Sequence, residues 1–142
     1  MADTPKKKVL VIDDEADMRT FVSTVLEVSG YEPLCAEDGH SGLEAARREK
    51  PDLVILDVMM PSIEDGVRCY QAFKTGEDTR RIPIIMLSAI ARKTFFHAIS
   101  RIHHSDGASL PEPHAYMEKP PDAGGLAVLV SEVLGPLGSH FD

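Results

Sequence analysis

Five short apolar runs alternate with five stretches whose apolar residues recur at helical spacing, and no other feature constrains this chain as tightly. The runs, from Lys8 to Ile12, Tyr31 to Ala36, Asp52 to Leu56, Pro83 to Leu87 and His114 to Met117, read as strands. The helical stretches run from Glu15 to Ser29, Gly39 to Glu49, Gly66 to Thr75, Ala91 to His103 and Leu126 to Leu134. In the first, Met18, Phe21, Val22, Val25, Leu26 and Val28 keep the period and Gly30 stops it. In the second, Leu43 and Ala46 point inward. Strands that are apolar throughout are buried on both faces, which implies a parallel sheet covered by helices, with right-handed crossovers. Residues 1–7 read as a flexible arm, 8–135 as one folded domain and 136–142 as a frayed tail. No output module is expected after residue 135, so the domain reads as a stand-alone one.

Charge and composition exclude several function classes. Asp and Glu number 23 against 15 Lys and Arg, a formal charge of −8. A general nucleic-acid binder needs a basic footprint, because phosphate neutralisation supplies most of its non-specific affinity. No apolar stretch is long enough to span a bilayer, and the N-terminus lacks the pattern of a signal peptide. Cys35 and Cys69 form no Cys-x-x-Cys pair and read as small apolar fillers in a cytoplasmic protein with reduced thiols.

The chemistry lies at the strand ends. In an open α/β sheet the ligand crevice sits at the carboxyl ends of the strands. Those ends carry Asp13 and Asp14, then Asp57, Ser88 and Lys119. Alone, each is an ordinary turn or capping residue; together they converge on one edge. Crowded carboxylates repel unless a cation is present, and hard oxygen ligands suit Mg²⁺. A carboxylate can also attack phosphorus and form an aspartyl phosphate, with Lys119 and Ser88 meeting the phosphoryl oxygens.

Four segments carry a resemblance: Val9-Leu-Val-Ile-Asp-Asp-Glu15, Asp52-Leu-Val-Ile-Leu-Asp-Val-Met-Met-Pro61, Ile84-Ile-Met-Leu-Ser-Ala89 and Tyr116-Met-Glu-Lys-Pro120. The sequence resembles a response-regulator receiver domain of two-component signalling, over about residues 8–135. The resemblance implies a flavodoxin-like, doubly wound α/β fold: a five-stranded parallel sheet of order 2-1-3-4-5 with five helices in three α/β/α layers. It implies that Asp57 is the phosphoacceptor for a sensor histidine kinase or phosphotransfer protein. It implies that Asp14 and Asp57 ligate Mg²⁺ directly, with the backbone carbonyl of Met59, while Asp13 acts largely through water. Ser88 would bind a phosphoryl oxygen and shift, Lys119 would pair with the phosphoryl group, and Tyr116 would turn inward as Ser88 moves. The readout would be a partner protein on the face of the fourth helix, fifth strand and fifth helix, or a homodimer through that face. Direct nucleic-acid or membrane contact is not expected, and the resemblance implies a phosphoprotein switch rather than an enzyme.

Departures from the family pattern are also legible. The loop between Pro61 and Gly66 is one residue longer than usual. The stretch from Ser88 to Lys119 is longer too, and 103–114 replaces the usual Gly-Ala-Asp before the fifth strand, which suggests an atypical output face. Histidines 97, 103, 104 and 114 lack a carboxylate or thiol partner at metal-ligand spacing and read as a solvated region. Met59 and Ile90 stand where receivers tune hydrolysis; being apolar, they point to a long-lived phosphate. Of Phe95 and Phe96, one is expected in the core. Two competing readings are a haloacid-dehalogenase-type phosphohydrolase and a binding-only pseudo-receiver. The adjacent Asp13-Asp14 pair argues against the first, and the complete five-residue set against the second.

Overall fold

The computed structural model describes residues 6–59, 62–91, 93–97, 100 and 112–135. Strands β1 (Lys8–Ile12), β2 (Glu32–Ala36), β3 (Leu53–Leu56), β4 (Ile84–Ser88) and β5 (Ala115–Glu118) are all parallel, in the order β2-β1-β3-β4-β5. Helices α1 (Ala16–Val28), α2 (Gly39–Glu49), α3 (Ile63–Thr75), the helical residues 93–97 (α4) and α5 (Ala123–Leu134) complete the flavodoxin-like arrangement.

Alternation along the strands splits the core in two. Leu10, Ile12, Val54, Leu56, Ile84 and Met86 pack with Val67, Tyr70 and Phe73 of α3 and with Phe95. Val9, Val11, Leu53, Ile55, Ile85 and Leu87 meet Val22 and Leu26 of α1 and Leu126 and Val130 of α5. Each such side chain contributes roughly 1.5–3 kcal/mol by leaving water. Burial on both faces holds for β1, β3 and β4, but not for the edges. In β2 only Ala36 is fully buried, and β5 is half-buried.

That edge position corrects one expectation about the cysteines. Cys69 is buried on α3, and burial pushes its thiol up to about 12. Cys35 lies on β2, is exposed, and has its Sγ 3.0 Å from Ser23 Oγ, so it fills no core space. Phe95 is fully buried and Phe96 packs against the same cluster.

Several boundaries differ from the sequence reading, three of them for a visible local reason. Helix α3 starts at Ile63, because the Ser62 hydroxyl accepts a hydrogen bond from the Asp65 N–H and caps it. Helix α5 starts at Ala123, because the Asp122 carboxylate accepts from the Gly125 N–H at 2.7 Å. Strand β5 runs one residue later, since its pairing with β4 extends from Ala115 to Glu118. The expectations for residues 1–5 of the arm, most of the 103–114 stretch including His103 and His104, and the 136–142 tail lie outside the described residues.

Candidate functional site

The parallel ladder continues past the strand ends and fixes the site's backbone. The Asp13 N–H donates to the Ala36 carbonyl at 3.1 Å, and the Asp57 N–H donates to the Ile12 carbonyl at 3.0 Å. The Lys119 N–H donates to the Ser88 carbonyl at 2.8 Å. Three residues from distant parts of the chain are thus held by their main chains before any side chain is considered.

Their side chains converge. Lys119 Nζ lies 2.8 Å from Asp13 Oδ2, 3.1 Å from Asp57 Oδ2 and 2.9 Å from Glu15 Oε1. The other oxygens of the two buried aspartates are occupied: Asp13 Oδ1 accepts from the Glu15 N–H at 2.9 Å, and Asp57 Oδ1 accepts from the Met59 N–H at 3.0 Å. Asp14 is exposed at the rim, yet one carboxylate oxygen each from Asp13, Asp14 and Asp57 lies within 4.8 Å of the others. Among the described residues this is the one cluster of acidic, His and Cys groups close enough to share a cation. All its donors are hard oxygens, and its outer member faces solvent. That set fits an ion such as Mg²⁺, which keeps several waters, and does not fit a soft metal.

One ammonium among four carboxylates, Asp13, Asp14, Glu15 and Asp57, leaves the site electrostatically unbalanced. Burial raises the Asp57 carboxyl above its ordinary value of 3.8. The Met59 N–H and the Lys119 charge oppose that rise, and the Asp13 charge adds to it. For Lys119 the balance runs the other way: burial alone would lower the ammonium, but hydrogen bonds to Asp13 and Glu15 and the charges of Asp57 and Asp13 raise it overall. The pair does not share its gain equally, because Lys119 is stabilised by several anions while Asp57 has a fraction of one cation.

Ser88 and Tyr116 form a second layer. Ser88 is fully buried, and its Oγ accepts from the Ile90 N–H at 3.4 Å. The Tyr116 hydroxyl donates to the Ile90 carbonyl at 2.8 Å. Burial pushes that phenol up to about 12, and a hydrogen bond with the Ser88 side chain works against the rise. The Tyr116 ring packs on Phe95, with centroids 5.5 Å apart. Ser88, Ile90 and Tyr116 are therefore linked, one hydrogen bond apart.

All the site residues expected from the sequence lie on this edge of the sheet. Asp13, Asp14, Asp57 and Lys119 come together directly; Met59, expected for its backbone carbonyl, is tied to the site through its N–H, which donates to Asp57. Glu15 is the member that sequence reasoning missed. Its partner is 104 residues away, so no local pattern announces it.

A family model for the response regulator receiver domain matches residues 9–106. A probable transcriptional regulator, ycf27, of Galdieria sulphuraria is 46% identical over 89 residues, covering 63% of this chain and 33% of the relative. The alkaline phosphatase synthesis transcriptional regulatory protein PhoP of Bacillus subtilis is 42% identical over 83 residues, covering 58% and 33%. The chain thus spans about a third of the length of these curated relatives. Among solved structures, chemotaxis response regulator CheY4 of Vibrio cholerae superposes with a TM-score of 0.74 at 26% identity, covering 90% of this chain and 98% of that one. Fold, matched segment and acidic edge agree, and the chain belongs to the response-regulator receiver domain family of two-component signalling.

Proposed function

We propose that Asp57 takes a phosphoryl group from a phosphohistidine on a sensor histidine kinase or phosphotransfer protein. The observation that carries this reading is the Lys119 ammonium, 3.1 Å from a buried carboxylate. An Asp57 oxygen attacks phosphorus; a P–O bond forms, the P–N bond breaks, and its electron pair returns to the imidazole nitrogen. Lys119 meets charge building on one phosphoryl oxygen, and the Ser88 hydroxyl donates to another. Asp13, Asp14, Asp57 and the backbone carbonyl of Met59 would hold Mg²⁺, which when bound offsets the negative charge that would otherwise repel a phosphoryl donor.

The new group adds negative charge and acceptor oxygens beside Ser88. Drawing the Ser88 hydroxyl toward them disturbs its contacts with Ile90 and Tyr116, and Tyr116, whose ring already touches Phe95, is released from the Ile90 carbonyl to turn inward. A preference of a few kcal/mol is enough to reverse such a two-state population. The altered surface, made by α4, β5 and α5, is then read by a partner protein or a second copy. A readout by protein contact goes with the formal charge of −8, which offers no basic footprint for nucleic acid.

Mass spectrometry after incubation with acetyl phosphate and Mg²⁺ tests the reading. A gain of one phosphoryl group is expected in the parent and none in Asp57→Ala. No gain in the parent would favour a binding-only domain, and sustained turnover of p-nitrophenyl phosphate a phosphohydrolase.

The lifetime of the label gives a second prediction. Met59 and Ile90 cannot orient an attacking water by hydrogen bonding through their side chains. The labelled parent is expected to lose its phosphate more slowly than Met59→Asn, followed by mass over time. Rapid spontaneous loss from the parent contradicts this.

A further inference from the structure

Glu15 occupies the N-cap of α1, but its side chain makes no cap hydrogen bond. That position favours Ser, Thr, Asp or Asn, whose short side chains reach the first helical N–H groups. Glu15 instead reaches across the site to Lys119 Nζ at 2.9 Å. Its backbone is anchored independently, through its N–H to Asp13 Oδ1 and through its carbonyl, which accepts from the Arg19 N–H. The contact is therefore a property of the side chain alone.

An ammonium has three donors. Here Asp13, Glu15 and Asp57 take them all, so a phosphoryl oxygen can gain Lys119 only by displacing one of the three. Asp13 and Asp57 are fixed and buried, their side chains 3% and 4% exposed, whereas the Glu15 side chain is 63% exposed. Water can solvate Glu15 when it lets go. It is the anion that leaves at least cost.

We propose that Glu15 is a positioning residue that acts through Lys119: it competes with the incoming phosphoryl group for the ammonium and so restrains how readily Asp57 is charged. This rests on Asp57 being the phosphoacceptor. Reach and charge make separable contributions. The reach of Glu15 occupies the Lys119 donor, whereas its negative charge also favours a cation at the neighbouring carboxylates.

Two variants of the full chain separate them. Glu15→Gln removes the charge; Glu15→Asp keeps it on a side chain one methylene too short. With acetyl phosphate at saturating Mg²⁺, both are expected to be labelled about two- to fivefold faster than the parent, the span open to a partly exposed ion pair. Calorimetry with Mg²⁺ alone should show weaker binding in Glu15→Gln but parent-like binding in Glu15→Asp. The rate difference should shrink as salt is raised, since Glu15 is exposed to screening ions. A purely structural role would move rate and Mg²⁺ affinity together and show no such salt dependence. Labelling of both variants at or below the parent's rate, with the parent labelled normally, overturns the proposal and leaves the Asp57 reading standing. An unlabelled parent overturns both.

Discussion

Gly66→Ala is expected to cost about 3 kcal/mol of folding stability, because a buried backbone leaves an added methyl group no room. Gly66 sits in the first turns of α3, and a Cβ built there would fall on the Val58 carbonyl and main chain. Val58 directly follows Asp57 and is fully buried. Relief therefore requires moving either α3 or the segment that carries the phosphoacceptor. Gly42→Ala is the informative control. The atoms nearest its Cβ would belong to the Ile12 side chain and not to main chain, so its cost should be smaller. Urea denaturation of both variants checks this. A Gly66→Ala midpoint equal to the parent's would show that the close approach of α3 to Val58 is not required. The variant should also be labelled more slowly by acetyl phosphate, since the shift falls next to Asp57.

Lys119→Met should have the second large effect. It removes the ammonium that bridges Asp13 and Asp57, both nearly inaccessible to solvent. Removing one partner from a buried ionic cluster leaves uncompensated charge, and the expected cost near neutral pH is about 3 kcal/mol. The pH dependence has a definite sign. The Asp57 carboxyl is already raised above 3.8 in the folded protein, first by burial. A raised carboxyl contributes stability below its unfolded value and loses that contribution as pH rises through its folded value. Without Lys119 the folded value climbs further and the loss deepens. The deficit of Lys119→Met relative to the parent should therefore be full at neutral pH and shrink as the pH falls toward about 4. Added Mg²⁺ should raise the variant's melting temperature more than the parent's, because a bound cation replaces part of the missing charge. Thermal melts across pH, with and without Mg²⁺, settle both points. A deficit that persists unchanged at low pH would mean that Lys119 acts through packing alone.

The placement of the site at the sheet edge is legible in the sequence because strand ends are the easiest positions to find in an α/β chain. A β-branched run that stops at Asp13 or Asp57 marks both the strand and the crevice at once. What escaped was governed by weaker or non-local signals. The start of α3 was hidden because Ser62-Ile-Glu-Asp65 reads as loop when apolar periodicity alone is counted, although Ser62 and Asp65 form a cap. The start of α5 was hidden by Gly124 and Gly125, which look like breakers until Asp122 is seen to hold the first turn. The exposure of Cys35 is not legible in the sequence, because an apolar run does not say whether its strand lies at an edge. Glu15 gave no signal at all, since its partner is fixed only once β1 and β5 lie in the same sheet.

One main-chain hydrogen bond, from the Lys119 N–H to the Ser88 carbonyl, has mechanical weight. It joins the hydroxyl and the ammonium through a stiff peptide bracket rather than through pliable side chains. A tug on either transmits to the other along a single rung, and the rung joins β4 to the edge strand of the sheet. The hydroxyl and the ammonium therefore share one piece of backbone, so their spacing is set by the sheet and not by rotamers.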